Sequence, residues 1–156
     1  MNRIASRTCG SLSDEIEFFV SGEPQQAGSK KWVPRKGRPG ARPIIIDDNP
    51  DAAMWMNIVG SYARVAMNRR KPWTGPLEFD MRFYMPRPRT VTKEKRLYPT
   101  VAPDTTKLVR CAEDALKKIV WIDDAQVVSQ RAVKVYADDH KPGVHIIVRR
   151  CIIPNQ

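Results

Sequence analysis

The stretch Leu77–Met85 alternates without a break. Leu77, Phe79, Met81, Phe83 and Met85 fall on one side, and Glu78, Asp80, Arg82 and Tyr84 on the other. Side chains of a β-strand point to opposite faces with a period of two, so this segment predicts a strand with one face in a core and one toward water. Such a strand needs neighbours on its edges and a cover for its apolar face. Glu15–Ser21 sets Ile16, Phe18 and Val20 against Glu17, Phe19 and Ser21 and predicts a first strand, and Ile44–Ile46 a short one. Gln126–Ala137 and Val144–Ile153 alternate too, and the turn-rich run from Asp138 to Gly143 predicts that they pair as an antiparallel hairpin. Two segments can supply the cover. Asn49-Pro50-Asp51 combines an N-cap, a proline at the first position and an acid in the first turn, so a helix is predicted to about Asn68, with Met54, Ile58, Tyr62, Val65 and Ala66 at helical spacing and Met54, Trp55 and Tyr62 read as core. Thr105–Lys118 carries the apolar stripe Leu108, Ala112, Ala115, Leu116 and Ile119, with Glu113→Lys117 and Asp114→Lys118 as exposed i,i+4 pairs. The expected fold is therefore α+β: one domain over residues 14–156, a mixed sheet with two helices on one face, and a flexible tail at 1–13.

Charge narrows the partner. Lys and Arg number 27 against 17 Asp and Glu, a net charge of +10. Nucleic acid is the usual partner of such a domain, because phosphate contacts release counterions; a solvated basic surface is the bland alternative. The basic residues are bunched. Lys30, Lys31, Arg35, Lys36, Arg38 and Arg42 lie in a Gly- and Pro-containing loop or open hairpin at 22–43, open either as a solvated loop or as a backbone contact. Arg87, Arg89, Lys93, Lys95 and Arg96 lie in 86–103, opposed by Glu94 alone. A connection that long is expected to be functional or disordered, and its charge favours a phosphate-binding arm.

Other classes lose support. Cys9, Cys111 and Cys151 have no CxxC spacing, and with two histidines they argue against zinc and for reduced thiols in a cytoplasm. No run nears the roughly 18 apolar residues of a membrane span, and no secretory signal is legible. The glycine-rich nucleotide-binding motifs are missing.

Within this basic chain stand two acidic points: Asp104, at the start of the second helix, and Asp123-Asp124, just before a strand. Asp104 by itself reads first as an N-cap, and Asp123-Asp124 equally as the polar end of a turn. Together they suit a hard divalent ion, which takes oxygen ligands and few protein carboxylates, and which in phosphodiester hydrolysis orients water and neutralises charge. Arg110, six residues on, is open as a phosphate contact or as a partner of Glu113 or Asp114. Lys107 in the first helical turn opposes the helix dipole unless an acid or phosphate compensates.

These residues resemble the RusA family of Holliday junction resolvases. The likeness spans roughly Phe79 to Val148. It is strongest in Pro103, Asp104, Lys107, Leu108, Arg110, Asp114, Ala115 and Leu116, followed by Trp121, Asp123, Asp124, Ala125, Gln126 and Val127. Gly22-Glu23-Pro24 and Gly28-Ser29-Lys30 resemble the family's opening. The resemblance implies a homodimer that binds four-way DNA junctions and cuts them with Mg2+, or Mn2+ in its place. It implies Asp104 and Asp124 as catalytic metal ligands with Asp123 beside them, and Arg110 where the family has a catalytic lysine. Lys30, Lys31, Arg35, Lys36, Arg38, Arg87, Arg89, Lys93, Lys95, Arg96 and Lys107 are then the expected DNA contacts. The family's second aspartate falls on Thr106, which leaves a catalytically weak or inactive branched-DNA-binding protein as the alternative.

Overall fold

The computed structural model describes residues 14–28, 30–34, 37, 40, 42–47 and 49–151, with the backbone only at 30, 32 and 45–47. The expected tail, Cys9, and the cations Arg35, Lys36 and Arg38 lie outside the described residues.

Strands β1 (Glu15–Ser21), β4 (Leu77–Met85), β5 (Val127–Tyr136) and β6 (Gly143–Arg150) form one mixed sheet in the order β1-β6-β4-β5. A separate ribbon pairs β2 (Lys30–Val33) with β3 (Ile44–Asp47) antiparallel. The helices are α1 (Pro50–Met67) and α2 (Thr105–Leu116). The expected hairpin of the last two strands does not form. β6 inserts between β1 and β4, antiparallel to both, while β5 lies parallel to β4 on the far side. Alternation sets which face a strand shows, and it is silent on the neighbour; α2 crosses between β4 and β5 and makes that pair parallel.

The face expected to be apolar is the covered one. Leu77, Phe79, Met81, Phe83 and Met85 are buried together with Val144, Ile146 and Val148 of β6, Ile16 and Val20 of β1, and Leu108, Ala112, Ala115 and Leu116 of α2. The other face of the sheet carries polar pairs: Arg149 bonds Asp80 at 2.7 Å and Glu15 at 2.5 Å as ion pairs, and His145 shares a hydrogen bond with Glu17 at 2.7 Å. Gly143 sits where β1 and β6 close against each other. A Cβ there would stand 2.3 Å from Val20 O and 2.5 Å from Phe19 Cζ, so backbone fills the space a side chain would need.

Helix α1 opens as expected, with Asn49 Oδ1 accepting from the Asp51 amide at 3.1 Å. Its apolar content is split between two faces, however. Ala52, Trp55, Val59, Ala63 and Met67 are buried, while Met54, Ile58, Tyr62 and Val65 are exposed. Helical spacing among apolar residues identified a stripe, but this helix has two, and the smaller alanines belong to the one that packs.

Candidate functional site

The two helices begin at the same end of the sheet. The segment after β1 ties both starts together: Asn49 Nδ2 donates to Gln26 O at 2.8 Å, and the Ala27 amide donates to Lys107 O at 3.0 Å. Asp104 is the N-cap of α2 in backbone conformation, yet its carboxylate makes no capping hydrogen bond and is exposed. The carboxylate is thus not consumed by the structural role that its position suggests. Thr106 is exposed in the first turn, Lys107 is half-buried, and Arg110 is exposed further along the helix.

Lys134 completes this end, and the sequence reading missed it. Its ammonium donates to Val101 O at 2.8 Å and Pro103 O at 2.7 Å, which fixes the chain as it enters Asp104. Lys134 pairs with Phe83 in the β4–β5 ladder, so it stands at an inward position of its strand. Val133 and Val135 flank it, so alternation reads Lys134 as facing water, and the pattern carried no signal for it.

Asp123 and Asp124 are elsewhere. Asp124 Oδ2 accepts from Lys117 Nζ at 2.9 Å, and Lys117 is the C-cap of α2. The 12 residues of α2 span about 18 Å at 1.5 Å rise per residue, so Asp104 and Asp124 stand toward opposite ends of the helix. The expectation of one shared ion for Asp104, Asp123 and Asp124 is corrected: among the described residues, no three Asp, Glu, His or Cys side chains form a group able to hold a metal. Two aspartates that precede a helix and a strand can meet only if both elements begin at one end. Here β5 starts where α2 finishes.

The second acidic run is largely a structural clasp. Trp121 is fully buried and edge-on to Phe79 with ring centroids 5.2 Å apart, and its indole N–H needs an acceptor, which Asp124 Oδ1 supplies at 2.8 Å. Asp123 caps a single 3-10 turn, accepting from the Ala125 amide at 3.0 Å. Gln126 Oε1 accepts from the amides of Ile122 and Asp123, and its Nε2 donates to Trp73 O and Gly75 O. The Ala125 amide, with Lys117 second, holds the Asp123 carboxyl below its usual value, and the bond to Asp124 raises Lys117. Glu113 does not pair with Lys117 as expected; its Oε1 accepts from Gln130 Nε2 at 2.7 Å. Burial, aided by the nearby charge of Asp124, raises the Glu113 carboxyl.

The expected DNA contacts divide as well. Arg87, expected as a DNA contact, is engaged within the fold as a loop clamp. It forks onto Asp138 at 2.6 and 2.9 Å, donates to Thr92 O and Arg96 O, and lies 3.9 Å from the Tyr136 ring centroid. Arg96 reaches Tyr136 Oη at 3.4 Å, and Lys93 stands 3.9 Å from both Asp138 and Asp139. Arg89, Lys95 and Lys31 are exposed, and Lys30 is described by backbone alone, in β2. Segment 86–103 is therefore an ordered arm pinned by Arg87, with part of its charge turned outward. Among the described residues no helix is long and apolar enough to cross a membrane.

The family described as endodeoxyribonuclease RusA matches residues 21–149. A protein of Bacillus subtilis strain 168, described as uncharacterized protein YqaN, is 28% identical over 148 residues, covering 87% of this chain and 96% of that protein.

Proposed function

This chain belongs to the RusA endodeoxyribonuclease family, and from that premise we propose that it cuts branched DNA, four-way junctions above all, as a homodimer in the presence of Mg2+ or Mn2+. The observation that carries the reading is Asp104: an exposed carboxylate at a helix start, freed from capping, beside an ordered basic arm. The first-turn amides of α2 and the helix dipole favour an anion at this end, so a DNA phosphate is attracted to the place where Asp104 waits. Arg110 and Lys107 add positive charge along the same helix.

The metal fits in reduced form. The three aspartates do not make one site within a chain, and Asp124 is engaged by Lys117 and Trp121. A hard divalent ion needs as few as one or two protein carboxylates, with water and phosphate oxygens as the rest, and Asp104 can supply one. Such an ion, when bound, neutralises charge developing on the phosphate. The protein's own part is to hold Asp104 through Lys134 and the 22–28 segment, and to draw in the backbone with its cations.

Incubation of the purified protein with a synthetic four-way junction and Mg2+ or Mn2+ tests this. Paired, symmetric nicks that vanish in Asp104→Asn are expected. Junction binding without cutting under either metal would overturn the enzyme reading. It would favour a second reading, a branched-DNA-binding protein without catalysis, for which the neutral Thr106 and the separation of Asp104 from Asp124 speak.

A further inference from the structure

One side of α1, from Ala53 to Met67, and the C-terminal end of α2 enclose a groove of about 760 Å³, with its cations gathered at the C-terminal ends of both helices. Its floor is apolar, and Gly60 sets its depth: a Cβ there would stand 3.1 Å from Ile119 Cδ1 and 3.3 Å from Ala115 O. The lining is cationic. Arg64, Arg69 and Arg70 come from α1 and its end, Lys117 and Lys118 from the end of α2, and Asp114 is the acid among them. Arg70 is committed to Met67 O and Ala66 O, both at 2.9 Å, and Lys117 to Asp124. Arg64, Arg69 and Lys118 are exposed, and among the described residues none of them makes an ion pair.

Two of these three hold unusual backbone. Arg69 has φ 63° and Lys118 φ 67°, the left-handed region that helix ends normally fill with glycine. A cation near a helix C-terminus gains a little from the dipole, but Arg70 already bonds the last carbonyls of α1. The fold thus keeps long cations at two positions where glycine would be easier, and both face one groove.

We infer that this groove is a second phosphodiester-backbone contact, engaged by a stretch of DNA other than the one presented to Asp104. The length of α2 separates the two places by about 18 Å, roughly five base-pair steps at 3.4 Å each. The groove, with three unpaired cations around an apolar floor, fits a strand of spaced phosphates. The inference rests on the nuclease reading only in taking DNA as the ligand.

The test compares two triple variants for binding to a four-way junction across a salt series, without metal. Arg64→Ala/Arg69→Gly/Lys118→Gly empties the groove of free charge, and glycine relieves the left-handed positions, so melting at or above the wild-type temperature is expected. Arg82→Ala/Arg131→Ala/Lys141→Ala removes the same charge from the opposite face of the sheet and its adjoining turn. Each phosphate contact contributes about 0.9 to the slope of log affinity against log salt. The groove variant is expected to lose roughly 2 to 3 from that slope and the control less than about 1. An unchanged slope in the groove variant, or equal losses in both, overturns the inference. A wild type that cuts junctions while the groove variant binds unaltered would leave the nuclease reading standing without the groove. A wild type that never cuts, yet shows the groove-dependent slope, would leave the groove standing without the nuclease.

Discussion

Lys117 Nζ stands 2.9 Å from Asp124 Oδ2, at the end of α2 that lies away from Asp104. This pair, with the Trp121 indole on the other oxygen of the same carboxylate, gives Asp124 a structural role whatever its part in cleavage. Asp124→Ala is expected to lower stability by about 1–3 kcal/mol, the cost of leaving the buried Trp121 N–H without an acceptor. Asp124→Asn keeps an acceptor for the indole and should cost less. Urea midpoints of the two variants check this; equal, negligible losses would sever the proposed clasp.

Asp104 should behave in the opposite way. Its carboxylate makes no cap hydrogen bond, and asparagine is as good an N-cap as aspartate. Asp104→Asn should therefore stay within about 0.5 kcal/mol of wild type. Junction nicking should fall by about a hundredfold or more, the scale of a single active-site electrostatic group. Parallel melting and single-turnover nicking assays read the two effects separately.

Thr106 decides between a full and a weakened enzyme. It is exposed in the first turn of α2, where an added acid is favoured by the helix dipole by about 0.3–1 kcal/mol. Thr106→Asp should fold at least as well as wild type. If the native site is short of one carboxylate, nicking with Mg2+ should rise by about tenfold or more, on the scale of a single charged group. An unchanged rate would mean that threonine suffices.

Glu113 gives a pH signature. Burial first, then the charge of Asp124, raises its carboxyl in the folded state against the lowering effect of the Gln130 hydrogen bond. A raised acid means that the folded protein holds this proton more tightly than the unfolded chain does. The destabilisation is absent below the unfolded value of about 4.3 and fully developed once pH passes the folded value. Glu113→Gln retains an acceptor for Gln130 and should gain up to about 0.5 kcal/mol at pH 7, discounted for solvent screening. The gain should vanish below about pH 4. Denaturation midpoints at the two pH values provide the check.

What could be read from the chain followed periodicity. The alternation at Leu77–Met85 identified the strand and its covered face, and the cap at Asn49 fixed the start of α1. Strand order was not legible, because a period of two carries no information about neighbours, and β6 between β1 and β4 came as a correction. The strand order decides where the acids stand. A hairpin of the last two strands leaves the position of Asp124 open, whereas a parallel β4–β5 pair sends it to the far end of α2. The clamp made by Arg87 was hidden for a related reason: its partners Asp138 and Tyr136 lie about fifty residues on, joined to it only by the fold. Lys134 was not legible, because its place between Val133 and Val135 reads as a water-facing position, and only the pairing with Phe83 turns it inward.

Gly143 has no chemistry to offer a substrate, yet it is as constrained as any acid in the chain. Because Val20 O and Phe19 Cζ already occupy the volume of a would-be side chain, even alanine would have to prise β1 from β6, and with it one wall of the core. Variation among descendants of this sequence should thus be narrow at two kinds of place: where a group must act, and where nothing at all must be.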